Sequence, residues 1–130
     1  MKHSFILITC MILFTSLIHA QDTKKDEPPA EMKQYFFVML MKGPNRGQDS
    51  VTVSKLQEGH MANINRMAKE GKLVMAGPFG DNGNWRGLFI FDMKTMEDVK
   101  KEVDQDPAIQ AGRMIYEIHP WWSQRGVKLP

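Results

Sequence analysis

The 130-residue sequence contains one cysteine, Cys10, and four histidines. Cys10 lies in an apolar N-terminal run that we interpret as an export signal, so the exported chain has no disulfide, no thiol nucleophile and no cysteine-type zinc site. Two histidines, His60 and His119, remain after residues 1–20, which is too few to indicate a metal site. The sequence also lacks a phosphate-binding loop, a serine-nucleophile motif and a dinucleotide fingerprint. We therefore predict a protein without metal or cofactor.

The chain has no large excess of either charge. Its 17 Lys and Arg residues and 15 Asp and Glu residues give a net charge of +2. Loss of the export signal would remove Lys2 alone among these residues, and the charge would fall from +2 to +1. Such a chain lacks the positive charge that binds a nucleic-acid backbone. We therefore predict no nucleic-acid partner.

Residues 1–20 have the pattern of a secretory signal peptide. Lys2 precedes an apolar run over residues 5–18, and Ala20 supplies the small residue of a cleavage site. The run is shorter than the roughly 20 residues that a spanning helix needs, which favours cleavage over a retained anchor. We expect a secreted or periplasmic protein with no stable membrane anchor after cleavage.

The rest of the chain divides into three parts. Residues 21–33 are polar and charged and contain two prolines, which predicts a flexible spacer. One folded domain is predicted over residues 34–120. Residues 121–130 are assigned to a C-terminal tail, in which the pair Trp121-Trp122 should pack against some apolar surface.

The domain is predicted to contain elements in the order β-α-β-β-α-β. The first helix is expected to begin at Ser54, with Gln57 completing a capping box, and to end at Gly71. The second is capped by Thr95 and turns its apolar residues inward, Met96 among them. The strands are predicted at residues 35–41, 73–76, 85–91 and 114–118. Right-handed crossovers then give an α+β, ferredoxin-like βαββαβ fold, with both helices on one face of an antiparallel sheet.

The first and third strands are apolar on both faces, although helices cover only one face of such a sheet. A bare apolar face of this size indicates an interface. A second copy of the same sheet, related by a two-fold axis, is the simplest cover. We therefore predict a homodimer packed sheet to sheet.

His60 is the first candidate for a functional residue, because it lies on the inner stripe of the first helix. The predicted topology brings Asp106, which follows the second helix, to the same end of the domain. A histidine beside a carboxylate is a recurrent acid–base unit. Two other interpretations stay open: Asp106 before Pro107 is also a good helix cap, and an inward histidine is often a core residue with one hydrogen bond.

Four further residues are candidates for substrate binding. Gly77 and Pro78 end the second strand and would let a ligand approach the backbone closely. Trp85 either walls the same pocket or packs on the surface. Arg46, like Arg86, either meets an anionic substrate or is a solvated surface residue.

The combination of His60, residues 71–78, Asp106-Pro107 and Ala111-Gly112 resembles the YCII-related (YciI-like) domain family over about residues 34–120. The resemblance implies a dimeric α+β barrel with a site formed by His60 and Asp106. Most members of that family have no assigned reaction, and some related proteins are lyases or isomerases that act on chlorinated hydroquinones or lactones. The export signal, the spacer and the tryptophan-rich tail depart from the usual pattern and argue against a cytosolic metabolic role.

Three hypotheses for the function follow. The first is a small, cofactor-free enzyme of the lyase or isomerase type, in which His60 is the general acid or base and Asp106 orients it. The second is a non-catalytic protein that holds a small-molecule ligand in the same pocket. The third is a haem-binding or oxygen-using protein, which rests on analogy of fold alone.

Overall fold

A computed structural model of the chain describes residues 31–130. The predicted signal peptide, and the predicted spacer up to residue 30, lie outside the described residues. The described part contains β1 (Met32–Lys42), α1 (Ser50–Lys69), β2 (Leu73–Pro78), β3 (Trp85–Phe91), α2 (Met96–Val103), α3 (Pro107–Gln110) and β4 (Met114–Gln124). No helix within this part is both long and apolar enough to cross a membrane.

The four strands form one antiparallel sheet in the order β2-β3-β1-β4. Phe36, Val38 and Leu40 of the central strand β1 are buried beneath the two longer helices. The other buried members of this core are Met67, Leu73, Phe89, Phe91, Val99 and Val103. Because α1 and α2 both contribute to one core, they lie on the same face of the sheet. The prediction of an α+β, ferredoxin-like fold is confirmed.

The opposite face of the sheet carries apolar side chains that no helix covers. Side chains alternate along a strand, so Phe37 and Met39 of β1 point to this face. On β2 and β4, the side chains of this face include Met75, Ile115 and Trp121, which are 37%, 44% and 40% exposed. β1 is therefore apolar on both faces, as predicted.

The start of α1 differs from the prediction. The helix begins at Ser50 rather than Ser54, because Asp49 is the N-cap and accepts a hydrogen bond of 2.8 Å from the Thr52 N–H. Gln57 therefore lies well inside the helix and is not part of a capping box. The predicted end is confirmed: Gly71 has a φ of 71°, the left-handed conformation that glycine adopts without strain.

The outer ends of β1 and β4 also extend beyond the predicted boundaries. β1 begins at Met32, and β4 continues past Pro120 to Gln124. The tryptophans assigned to the tail are strand residues, and Trp121 pairs with Tyr35 of β1. Pro120 does not end the strand because β4 lies at the edge of the sheet. On an edge strand, the N–H that proline lacks can be one that would face solvent, so no hydrogen bond between strands is lost.

The second helix follows the prediction with one exception. Thr95 is its N-cap and accepts a hydrogen bond of 3.1 Å from the Asp98 N–H. Val99 and Val103 are buried, as predicted, but Met96 is 37% exposed. Met96 occupies the first helical position, where the chain has only begun to approach the sheet.

Candidate active site

His60 and Asp106 lie side by side where α1 meets the short helix α3. His60 Nδ1 is 2.5 Å from Asp106 Oδ2, and the two side chains are 11% and 1% exposed. A carboxylate oxygen accepts hydrogen bonds, so in this pair the Nδ1–H group is the donor to Asp106 Oδ2. The structure thus brings together the two residues that the predicted topology gathered at one end of the domain.

Asp106 uses its two carboxylate oxygens for different purposes. Oδ1 accepts a hydrogen bond of 2.9 Å from the Ala108 N–H, which caps α3, and Pro107 occupies the first position of that helix. Oδ2 binds His60. Because the cap holds one oxygen, it also fixes the direction in which the other oxygen points.

A glycine allows α1 and α3 to approach closely beside this pair. A Cβ atom added at Gly59 would lie 2.7 Å from Pro107 Cγ, a distance that carbon atoms do not tolerate. Gly59 precedes His60, and Pro107 follows Asp106. The contact between Gly59 and Pro107 therefore helps to set the distance between His60 and Asp106.

A cavity of about 390 Å³ lies between α1 and the sheet, next to His60. Its volume falls in the range of about 300–1,000 Å³ that is typical of ligand sites. The apolar part of its wall is formed by Leu40, Met61, Ile64, Ala76, Phe89 and Met114. The His60 ring stacks on Phe89, with the ring centroids 6.1 Å apart and the planes at 24°.

The second ring nitrogen of His60 is available to a ligand. Nε2 has no hydrogen-bond partner among residues 31–130. Every fully buried side-chain nitrogen or oxygen in that part has such a partner, so Nε2 is not fully buried. Nε2 is therefore accessible, and the space that His60 lines is the cavity.

The cavity contains some of the residues predicted to bind substrate but not all of them. Gly77 and Pro78 line it, as the end of β2 should. Trp85 does not: it is 56% exposed and packs against Phe79, with ring centroids 6.0 Å apart. Trp85 is the first residue of β3 and is not among the residues that line the cavity. Arg46 lies outside the cavity as well.

Arg46 lines an adjoining cleft of about 130 Å³ instead. Arg86 and Arg113 line the same cleft, and Arg86 and Gln57 line both the cleft and the His60 cavity. Partial burial, together with the neighbouring guanidinium groups of Arg113 and Arg86, lowers the pKa of Arg46 below its ordinary value. Three positive side chains are thus held near one another beside the cavity.

Two residues of this site were not found from the sequence. Gln57 was assigned to a helix cap, but it supplies an amide group to the cavity wall. A correct helix start at Ser50 would have placed Gln57 one turn before His60 on the same side of α1. Arg113 was not singled out, because nothing local to its sequence distinguishes it from a solvated arginine.

Two other features of the described residues do not add a site. A groove of about 690 Å³ runs along the solvent-exposed side of α1, but it contains neither His60 nor Asp106. Within residues 31–130, no cluster of three or more His, Cys, Asp or Glu side chains is arranged to hold a metal ion.

Comparison with protein families identifies the class to which the chain belongs. Residues 35–122 match the YCII-related domain, so the chain belongs to that family. This confirms the resemblance found in the sequence. A comparison of the sequence with curated proteins finds no match.

Two solved structures share the fold. One is 5-chloro-2-hydroxyhydroquinone dehydrochlorinase (TftG) from Burkholderia phenoliruptrix AC1100 in complex with 2,5-dihydroxybenzoquinone, with a TM-score of 0.51 and 18% identity over 66% of this chain and 92% of that chain. The other is muconolactone isomerase, with a TM-score of 0.56 and 16% identity over 67% of this chain and 86% of that chain. At these identities the similarity shows the ferredoxin-like α+β fold alone.

Proposed function

We propose that this protein is a small-molecule acid–base enzyme of the lyase or isomerase type. The observation that carries the proposal is the arrangement of His60: Nδ1 is bound to a buried carboxylate, and the ring lines a ligand-sized cavity. A histidine held in this way transfers protons near neutral pH.

In the proposed reaction, His60 Nε2 removes a proton from a carbon atom next to a carbonyl group. The electron pair of the broken C–H bond moves towards the carbonyl oxygen. In an isomerisation, Nε2 returns the proton to another carbon. In an elimination, the electron pair forms a C=C bond, the leaving group departs with the electrons of its own bond to carbon, and Nε2 keeps the proton. Asp106 keeps its hydrogen bond to Nδ1 throughout and stabilises the positive imidazolium.

The structural neighbours support this class of reaction without identifying the substrate. One is a dehydrochlorinase in complex with a dihydroxybenzoquinone, and the other is an isomerase. The mostly apolar wall of the cavity and the Phe89 ring under His60 suit a flat ring compound. Chlorinated hydroquinones and lactones are therefore the first substrates to test.

The test is turnover of these compounds by the unmodified protein and by His60→Asn. A positioned general base contributes about 10²–10⁴-fold to a rate, so the variant should lose at least about 100-fold. Asp106→Asn keeps a good N-cap residue and removes the charge, so it should lower kcat while α3 stays folded. The matched control is Lys69→Gln, because Lys69 is exposed at the end of α1, nine residues after His60 and away from the bare face of the sheet. Full turnover by His60→Asn would exclude the proposed proton transfer.

The same experiment separates catalysis from ligand binding. A non-catalytic binding protein would retain a ring compound in this cavity and release it unchanged. Isothermal titration calorimetry with 2,5-dihydroxybenzoquinone measures that binding directly. Tight binding without product in any of the assays would favour the binding protein over the enzyme.

We also propose that two copies pack through the bare faces of their sheets. The exposed apolar side chains of that face, Ile115 and Trp121 among them, support a homodimer, because water-exposed apolar patches of this kind mark interfaces. Ile115→Asp should then produce a monomer in sedimentation-velocity experiments. Val51→Asp is the control, since Val51 is 63% exposed on α1, away from that face. A monomeric unmodified protein at micromolar concentration would contradict the proposal.

Export of the protein is the third part of the proposal and rests on residues 1–20 alone. Fractionation of expressing cells, with detection of the C-terminal part, would locate the mature chain. N-terminal sequencing should find Gln21 as the first residue. A cytoplasmic protein that retains Met1 would refute export.

A further inference from the structure

The three arginines beside the cavity differ from the other two in the chain. Arg66 and Arg125 both form ion pairs, with Glu70 and Glu102 and with Glu31 respectively. None of the arginines that line the cleft has an ion pair with a carboxylate among residues 31–130. The described part therefore holds two arginines neutralised by acids and three gathered around one small cleft.

Each arginine of the cleft donates a hydrogen bond to a neutral oxygen only. Arg46 Nη1 donates to the Arg113 carbonyl at 3.0 Å, and Arg86 Nη1 donates to the Asp81 carbonyl at 3.3 Å. Arg113 Nη1 donates to Gln48 Oε1 at 3.0 Å. A guanidinium group has five N–H donors, so most of their donor capacity and all of their charge remain without a partner in the described part.

The backbone holds these side chains in place rather than leaving them on a free loop. The loop before α1 is fixed by hydrogen bonds of 2.9 Å from the Gly43 N–H to the Arg113 carbonyl and of 3.0 Å from the Asn45 N–H to the Gly112 carbonyl. A Cβ atom at Gly43 would overlap the Gly112 carbonyl oxygen. This close backbone contact sets the position of Arg46 relative to Arg113.

A β-bulge directs Arg86 towards the same place. Leu40 pairs with Gly87 and Met41 pairs with Trp85, so Arg86 is the extra residue of β3. A bulge turns one side chain out of the regular alternation and is frequent next to active sites. The bulge allows Arg86 to line both the cleft and the His60 cavity.

From this geometry we propose that the cleft formed by Arg46, Arg86 and Arg113 binds an oxyanion group of the ligand whose ring occupies the His60 cavity. The proposal rests on the proposed function where it treats the ligand as a substrate. Binding of the oxyanion in the cleft does not depend on turnover. A carboxylate or a phosphate has the charge and the acceptor oxygens that match guanidinium forks. The substrate class is therefore a ring compound that carries a negatively charged group.

The binding test uses benzoate, its neutral isostere benzamide, phenyl phosphate and inorganic phosphate as probes of the purified protein. Calorimetry gives the dissociation constants, and the ring signals of His60 in NMR spectra report occupancy of the neighbouring cavity. Benzoate or phenyl phosphate should bind at least tenfold more tightly than benzamide and should move the His60 signals. Inorganic phosphate should bind more weakly than phenyl phosphate, because it leaves the cavity empty.

Variants then assign the effect to the cleft. Arg86→Gln and Arg113→Gln should each weaken benzoate binding about tenfold or more, because each loses a charge-assisted hydrogen bond. Arg125→Gln removes the same charge at the opposite end of β4 and should change nothing. His60→Asn should retain benzoate binding even though it loses turnover, so the failure of one proposal is distinguishable from the failure of the other.

Three results would overturn the inference. Equal affinities for benzoate and benzamide would show that the charge is not recognised. Equal affinities for phenyl phosphate and inorganic phosphate, with unchanged His60 signals, would show a site for free anions only. A loss of benzoate binding in Arg125→Gln as large as in Arg86→Gln would show that net charge, and not the cleft, attracts the anion.

Discussion

The contact between Gly59 and Pro107 predicts that a single added methyl group separates His60 from Asp106. In Gly59→Ala, the new Cβ would lie 2.7 Å from Pro107 Cγ. Carbon atoms pack at about 3.5–4.0 Å, so α1 and α3 must move apart by about 1 Å. Such a movement would lengthen the 2.5 Å hydrogen bond between His60 and Asp106 to about the limit of hydrogen bonding.

The stability of Gly59→Ala should change much less than its site. Alanine favours a helix over glycine by about 1 kcal/mol, whereas an overpacked contact costs about 1–3 kcal/mol. These terms oppose each other, so the free energy of unfolding should fall by at most about 2 kcal/mol. The variant should therefore stay folded while its candidate catalytic pair is disrupted.

The assay is NMR detection of the proton on His60 Nδ1, which exchanges slowly only while Asp106 holds it. The signal should be lost in Gly59→Ala and retained in Pro107→Ala, which removes the ring atom that the new methyl group meets. The double variant should recover the signal, because the added methyl then occupies the space that the ring has left. An unchanged signal in Gly59→Ala, with the full gain in helix stability, would show that this contact does not position the pair.

Two predictions concern groups outside the site. Burial raises the pKa of Glu102, but hydrogen bonds from Lys72 and Arg66 outweigh it and hold that pKa below its usual value. The ionised carboxylate therefore stabilises the folded state. This contribution is present above the unfolded-state pKa and is lost as the pH falls through the folded-state pKa. Glu102→Gln should therefore lower the free energy of unfolding by about 2 kcal/mol at neutral pH and by less in acid, as measured by urea titration; an equal loss at both pH values would contradict the ion pairs. Burial, and then the hydrogen bond to Asp104, raises the pKa of Tyr116. In a Tyr35→Phe background, Tyr116 is the one remaining tyrosine. An absorbance titration should then give a Tyr116 pKa above the ordinary value of about 10, and Asp104→Asn should lower that pKa.

The elements of the fold were predictable where local sequence decides them. The third strand matches its prediction at both ends, residues 85–91, because an apolar run follows a turn. Gly71 ends α1 and Thr95 caps α2 as expected, since both signals depend on one residue and its backbone. The order of these elements then fixed the ferredoxin-like topology, because crossover connections have a preferred hand.

The errors lie where a distant part of the chain decides the outcome. β4 passes Pro120 because an edge position and pairing with β1 outweigh a local stop signal. The bulge between Trp85 and Gly87 influences which side chains of β3 reach the cavity, and Arg86 lines it whereas Trp85 does not. Arg113 shares a cleft with Arg46, 67 positions earlier in the chain, and no pattern in either segment records that meeting.

Asp106 illustrates why two interpretations of one residue need not compete. The sequence offered a helix cap or a partner for His60, and each alone would explain an aspartate before a proline. A carboxylate has two oxygens, and the structure uses Oδ1 for the cap and Oδ2 for His60. The cap is thus the means by which the oxygen that faces the imidazole is held in a fixed direction. Asn also caps helices well, so Asp106→Asn would keep α3, but its amide NH2 group would replace the carboxylate oxygen that accepts from His60 Nδ1. A loss of turnover in that variant would then measure the loss of the carboxylate partner of His60 and not the loss of α3.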